Sequence, residues 1–190
     1  FATNGGFGDG GNEKPRLDYV LGVHTLRLVA LATFIPGVPG GEIPPAKPSW
    51  IDETLGKQPE MPTLIAMRHP PFSSGIRHMD AMNCANSEAL ESVIARHAQV
   101  ERILCGHLHR ATYVRWAGTI VATAPSTCFQ VALNLESDSR AEWIMEPPAY
   151  LVHYWKPDTG LVTHTDYIGD FAGPELFPWS KGLKGLEAGD

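Results

Sequence analysis

Short apolar runs separated by Gly- and Pro-rich turns dominate the chain. In LDYVLGVHTLRLVALAT (17–33), Leu26, Leu28 and Ala30 with Val29 and Leu31 interleaved predict a strand covered on both faces. TLIAM (63–67) and VERILC (100–105) predict two more buried strands, the first stopped by His69-Pro70-Pro71 and the second running into Gly106. Between them, over 86–97, Leu90, Val93 and Ile94 fall at helical spacing. Glu88 and Glu91 stand early and Arg96 and His97 late, the order that complements the helix dipole. A short helix is also expected from Ser49, read as an N-cap with Asp52 three residues on, to about Leu55.

Residues 35–48 hold five prolines and three glycines and predict an irregular connection. So does the loop PPFSSGIRHMDAMNC. Downstream, 111–116, 118–124, 129–135, 150–155 and 161–168 read as successive strands of a meander, with a turn at Lys156-Pro157-Asp158-Thr159-Gly160. Strands alternating with helices, then several strands, make the fold class α/β. Residues 1–16 read as loop, 17–177 as one unrepeated body, and 178–190 as a loop-rich tail.

Composition supports a core. Of 190 residues 43% are hydrophobic and 19% charged, which argues against long disorder. A net charge of −6 and the lack of any basic run argue against a nucleic-acid partner. No apolar run is long enough to cross a bilayer, and 1–16 has no signal-peptide apolar region, so neither membrane nor export is expected. Cys84, Cys105 and Cys128 lack CxxC spacing, which fits a reducing compartment, here the cytoplasm. The chain begins with Phe1 rather than Met, so it is expected to be a piece of something longer.

The candidate chemistry concentrates in histidines. In Cys105-Gly106-His107-Leu108-His109 two imidazoles follow a buried strand, and Gly106 permits a sharp turn there. Open α/β sheets place their sites at such strand ends, and neutral imidazole suits Zn, Fe, Mn or Co. A polar surface loop is the competing reading. Arg68-His69-Pro70-Pro71 closes another apolar strand, and a residue before proline has little backbone freedom, which suits a fixed ligand or a rigid turn equally. His24, His97, His153 and His164 read as ordinary packed or exposed residues, and the aromatics Trp116, Tyr150, Tyr154, Trp155 and Tyr167 as sheet core.

Taken together, TLIAMRHPPFSSGIRHMDAMNC, VERILCGHLHR, TIVATAPSTCFQVAL, EPPAYLVHYW and GLVTHTDYIGDFAGPELF resemble the calcineurin-like metallophosphoesterases, most closely the class III cyclic-nucleotide and glycerophosphodiester phosphodiesterases. The resemblance covers nearly everything from Leu17 to Phe177. It implies a mixed β-sandwich flanked by helices, and a two-metal centre (Fe, Mn, Zn or Co) whose bridging hydroxide attacks phosphorus. It implies a small phosphoester substrate, with a homo-oligomer left open. Family ligands come from five blocks: DxH, GDxxD, GNH(D/E), a histidine in the HHPP segment, and GHxH. Only the last two have counterparts here, so 17–177 is expected to be the C-terminal part of such a domain, with its N-terminal half missing. His107 and His109 are the implied metal ligands and His69 a further candidate. His78 and Arg68 are candidate substrate contacts, His78 with Asp80 in a loop that relatives hold over the site; a loop fastened by its own side-chain hydrogen bonds is the other reading.

Two departures stand out. The family's ligand position in the HHPP segment is occupied by Arg68, and a guanidinium cannot give up its proton to a metal. Ala32 stands where the family's strand end carries an aspartate. Both favour reduced or lost activity, so a non-catalytic binding module is carried as the alternative. A mononuclear zinc site using Cys84 or His69 is the third.

Overall fold

The computed structural model describes residues 18–23 and 25–177. The readings of 1–16 as loop, of 178–190 as tail and of His24 as ordinary therefore lie outside the described residues.

Two strands, β1 (Tyr19–Val23) and β2 (Leu26–Leu31), pair antiparallel. β2 alternates between half-buried and buried side chains, so only Val29 and Leu31 enter the core and the expectation of two covered faces is not met. The Pro/Gly-rich segment is more ordered than its composition suggests. β3 (Phe34–Ile35) and β4 (Val38–Glu42) form a small hairpin within it, and β4 also pairs with β6 (Cys84–Ala85). Helix α1 spans Lys47–Gly56, starting before Ser49; its N-cap is Ala46, and Pro48 sits in the first turn, where a missing N–H costs nothing.

β5 (Thr63–Met67) and β7 (Val100–Cys105) fall where the apolar runs place them. Between them lie α2 (Arg77–Asp80), unforeseen in its loop, and α3 (Glu88–Ile94). The expected meander is corrected by β8 (Thr112–Trp116) and β9 (Thr119–Thr123). β9 crosses inside β8 to pair parallel with β7, giving a six-stranded mixed sheet in the order β1-β2-β5-β7-β9-β8. The buried Val121 and Ala122 of β9 suit that interior place. Of residues 129–135 only Gln130–Val131 (β10) form a strand, paired with β11 (Trp143–Ile144).

One face of the sheet meets the helices. Ile51 and Leu55 of α1 and Leu90, Val93 and Ile94 of α3 pack on Val29, Ile65, Ile103 and Val121. Each such side chain contributes about 1.5–3 kcal/mol by leaving water. The hairpin of β12 (Ala149–Lys156) and β13 (Gly160–Tyr167) is held to β7 by Arg102, which donates to the Thr163 hydroxyl and the Leu161 carbonyl. Tyr150 and Tyr154 are exposed rather than core, because they share one face of a two-stranded ribbon whose alternate residues face opposite ways; Tyr167, opposite Ala149 at the ribbon's end, is exposed as well. Trp116 packs against the main core as expected.

Candidate active site

The carboxyl ends of β2, β5 and β7 lie side by side, since Leu31 pairs with Met67 and Met67 with Cys105. The segments leaving them, Ala32-Thr33, Arg68-His69 and Gly106-His107-Leu108-His109, therefore converge. The Gly106 N–H donates to the Arg68 carbonyl at 3.1 Å, so the last two segments remain tied beyond the strands.

His107 and His109 both have positive φ, 70° and 51°. The Leu108 N–H bonds back to the Gly106 carbonyl at 2.8 Å, closing a three-residue turn around His107. Non-glycine residues seldom adopt this conformation, and it clusters at functional sites. Leu108 holds the turn down: it is fully buried with Ile76, Met79 and Val131. The histidines on either side carry one buried ring nitrogen each without a hydrogen-bond partner, His107 Nε2 and His109 Nδ1. Burial, then the charges of His69, Arg68 and His109, push the His107 imidazole down to about 4, against a weaker pull from a backbone hydrogen bond at Met82. It therefore presents a free lone pair at neutral pH.

His69 is placed differently from the ligand role considered for it. Its Nε2 donates to the Pro39 carbonyl at 3.1 Å, which makes Nδ1 the acceptor for the Thr33 hydroxyl at 2.8 Å. Both ring nitrogens are engaged and the side chain is 1% exposed, so in this arrangement no lone pair remains for a cation. Burial lowers its pKa and keeps it neutral. His69 instead stands edge-on to His107. Nothing in the sequence pointed to Thr33 or Pro39 as its partners, because they are 36 and 30 residues away.

Arg68 is exposed at the mouth, close enough for its charge to be felt by His69 and His107. His78, on α2, has a buried Nδ1 without a hydrogen-bond partner, and its neighbours Ile76 and Met79 pack on Leu108. Asp80 is a loop fastener: it accepts from the Ser74 N–H and hydroxyl, both at 2.7 Å, and from the Gly75 N–H at 2.9 Å. Asn83 carries a buried Oδ1 without a partner, while its Nδ2 donates to the Phe72 carbonyl at 2.6 Å. Cys84 and Cys105 are buried in the main core, and burial pushes the Cys84 thiol up to about 11. Among the described residues no three His, Cys, Asp or Glu side chains converge on a single metal position.

No protein-family model matches the chain. It is 39% identical over 171 residues to a probable glycerophosphodiester phosphodiesterase of Arcobacter nitrofigilis, covering 90% of this chain and 63% of that protein. It is 30% identical over 165 residues to a cAMP/cGMP dual specificity phosphodiesterase of Mycobacterium tuberculosis, covering 83% of this chain and 51% of that one. These similarities bear out the resemblance to the calcineurin-like metallophosphoesterases. The chain spans roughly half to three fifths of the length of these two relatives. Among solved structures, the Plasmodium inner-membrane-complex anchor GAP50 superimposes with a TM-score of 0.52 at 12% identity, covering 78% of this chain and 48% of that one, a likeness of fold. At these strand ends His107 and His109 offer unpartnered imidazole nitrogens, while the Arg68 guanidinium and the doubly engaged ring of His69 offer no lone pair. No helix among the described residues is long and apolar enough to cross a membrane.

Proposed function

We propose that this chain contributes the His107–His109 share of the metal centre in a phosphodiesterase that hydrolyses a small phosphoester. The observation that carries this reading is the pair of buried, unpartnered ring nitrogens, His107 Nε2 and His109 Nδ1, on one strained turn. Uncompensated buried polar atoms are costly, and divalent cations, one at each histidine, would satisfy them. The names of the relatives supply the reaction class. Divalent ions, when bound, polarise the phosphoryl group and supply a hydroxide at neutral pH.

The chain's own residues hold and orient. Leu108 anchors the turn, His69 braces the His107 ring, and Arg68 presents a fixed positive charge that can meet a phosphoryl oxygen pair. Two histidines are fewer than the three protein ligands of even a single catalytic zinc, so further ligands must come from outside the described residues. The test is hydrolysis of bis(p-nitrophenyl) phosphate with Mn²⁺ by the protein encoded by the reading frame that contains these residues. Metal-dependent turnover abolished by His107→Ala and by His109→Ala is expected; absence of turnover overturns the reading.

A second reading, a phosphate-binding module without catalysis, is favoured specifically by Arg68 at the mouth. Phosphate binding that persists in the presence of chelator, disappears in Arg68→Ala and is accompanied by no turnover would establish it instead.

A further inference from the structure

A row of aromatic rings runs outward from the metal-site turn. The Phe129 ring lies 5.0 Å from the His109 ring, centroid to centroid, and the Trp143 ring 5.9 Å from Phe129, with tilts of 52° and 59°. Trp143 is 65% exposed, so most of the indole stands in water. Leaving that much apolar ring uncovered gains nothing for folding, yet its position is firmly set. Arg110, the residue after His109, donates to the Val131 carbonyl at 2.6 Å and to Glu146 Oε2 at 2.9 Å, gripping the β10–β11 ribbon from both sides. Gln130 adds bonds to Ser126. The ring row is thereby held in register with His109 through the very next residue. Further along the same loop, Leu135 lies so close to Gly75 that a Cβ there would sit 3.2 Å from Leu135 Cδ2.

We propose that Phe129 and Trp143 form a stacking platform for the planar base of the substrate, so that the site prefers phosphodiesters carrying a nucleobase over glycerol-based ones. The inference rests on the phosphodiesterase reading above. A phosphoryl group at His107 and His109 places its ester substituent beside the ring row. A nucleobase has a π-face to lay on an indole, and such stacking is sequence-tolerant and strong. A glycerol arm has hydroxyls that prefer water and no face to offer.

The experiment measures kcat/KM for 3′,5′-cyclic AMP and for glycerophosphoethanolamine, and the Kd of AMP and of glycerol 3-phosphate by calorimetry, in the same protein and in Trp143→Ala and Trp143→Phe. The expected result is a fall of about tenfold in the nucleotide-over-glycerol ratio in Trp143→Ala, carried by KM, with Trp143→Phe retaining most of it. An unchanged ratio in Trp143→Ala overturns the platform, as does a change confined to oligomeric state by gel filtration. If no diester is hydrolysed, the reaction reading fails separately, and the AMP-over-glycerol-phosphate binding ratio decides the platform by itself.

Discussion

The imidazole of His69 stands edge-on to that of His107, with ring centroids 4.8 Å apart and planes at 62°. One histidine offers a free lone pair; the other gives up both nitrogens to Thr33 and Pro39 in order to hold its ring still. The brace is built from three separate strand ends, so its parts can be loosened one at a time. Thr33→Val removes the hydroxyl that fixes His69 Nδ1 and should lower stability by about 1–2 kcal/mol. It should also weaken metal affinity about tenfold, as loss of an orienting partner does. Urea titration and competition with a chromophoric chelator read the two effects separately.

Gly41 makes the brace possible. A Cβ at that position would sit 2.2 Å from His69 Nδ1 and 2.6 Å from the Thr33 carbonyl oxygen. Neither neighbour can yield, because one is buried and doubly hydrogen-bonded and the other is backbone. Gly41→Ala is expected to cost about 3 kcal/mol, as overpacking of a rigid site does. Gly22→Ala, where nothing lies within 4 Å, serves as the control and should leave the melting temperature nearly unchanged.

These contacts explain what could be read from the chain and what could not. β5 and β7 were legible because Ile65 and Ile103 lie at the centre of an interior pair of strands, and apolar runs report such places. The GHLH turn was legible because Gly106 follows an apolar strand directly. β4 was not: Val38-Pro39-Gly40-Gly41-Glu42 looks like loop, and it becomes a strand only through partners at Thr33, Asn83 and Ala85. The role of His69 was hidden for the same reason. Its neighbour Arg68 made it a candidate ligand by position, while its actual partners are distant in sequence and carry no local signature. The Phe129–Trp143 row was equally hidden, since it depends on a ribbon paired across a long loop.

Arg68 opposes any cation placed at His107. Coulomb repulsion between a guanidinium and a metal ion at the mouth is reduced by solvent but not removed. Arg68→Gln should tighten Mn²⁺ or Zn²⁺ binding by about threefold and Arg68→His, which adds a nitrogen donor, by about tenfold or more. Chelator competition gives both numbers. Equal affinities in all three proteins would mean that the side chain does not face the metal.

One buried histidine and two half-buried ones, held neutral by their surroundings, make the metal-free protein sensitive to acid. Burial lowers the pKa of His69, His107 and His153, with His107 falling from 6.5 to about 4. The unfolded chain takes up protons below about 6.5 that the folded chain refuses, so stability is complete above that pH and falls as pH drops towards 4. For His107 the loss by pH 4 is on the order of 3 kcal/mol. His153 lies in the β12–β13 hairpin, bonded to the Thr163 hydroxyl and facing the Arg102 charge. In chelator, the urea midpoint should decline between pH 7 and 5, and His153→Gln should flatten part of that slope without touching the strand-end site.

Lys47 and Asp18 provide the sharpest test of how β2 is held at its site end. The ammonium, 6% exposed, lies 2.6 Å from Asp18 Oδ1 and donates to the Ala32 carbonyl at 2.5 Å. Asp18 also accepts from the Ala32 N–H at 2.7 Å. The pair therefore clamps both backbone groups of Ala32, one residue before the Thr33 that positions His69. Removing one partner strands a buried charge: Asp18→Ala should cost about 3–5 kcal/mol, and Lys47→Met, which leaves the more exposed carboxylate, less. Replacing both removes the stranded charge, so the double variant should be more stable than Asp18→Ala alone. A double-mutant cycle by urea denaturation measures the coupling, and additive losses would show that the two side chains do not act together. Because the clamp stops one residue short of Thr33, the same variants should also loosen metal binding, linking a salt bridge at the start of β1 to the ring of His107.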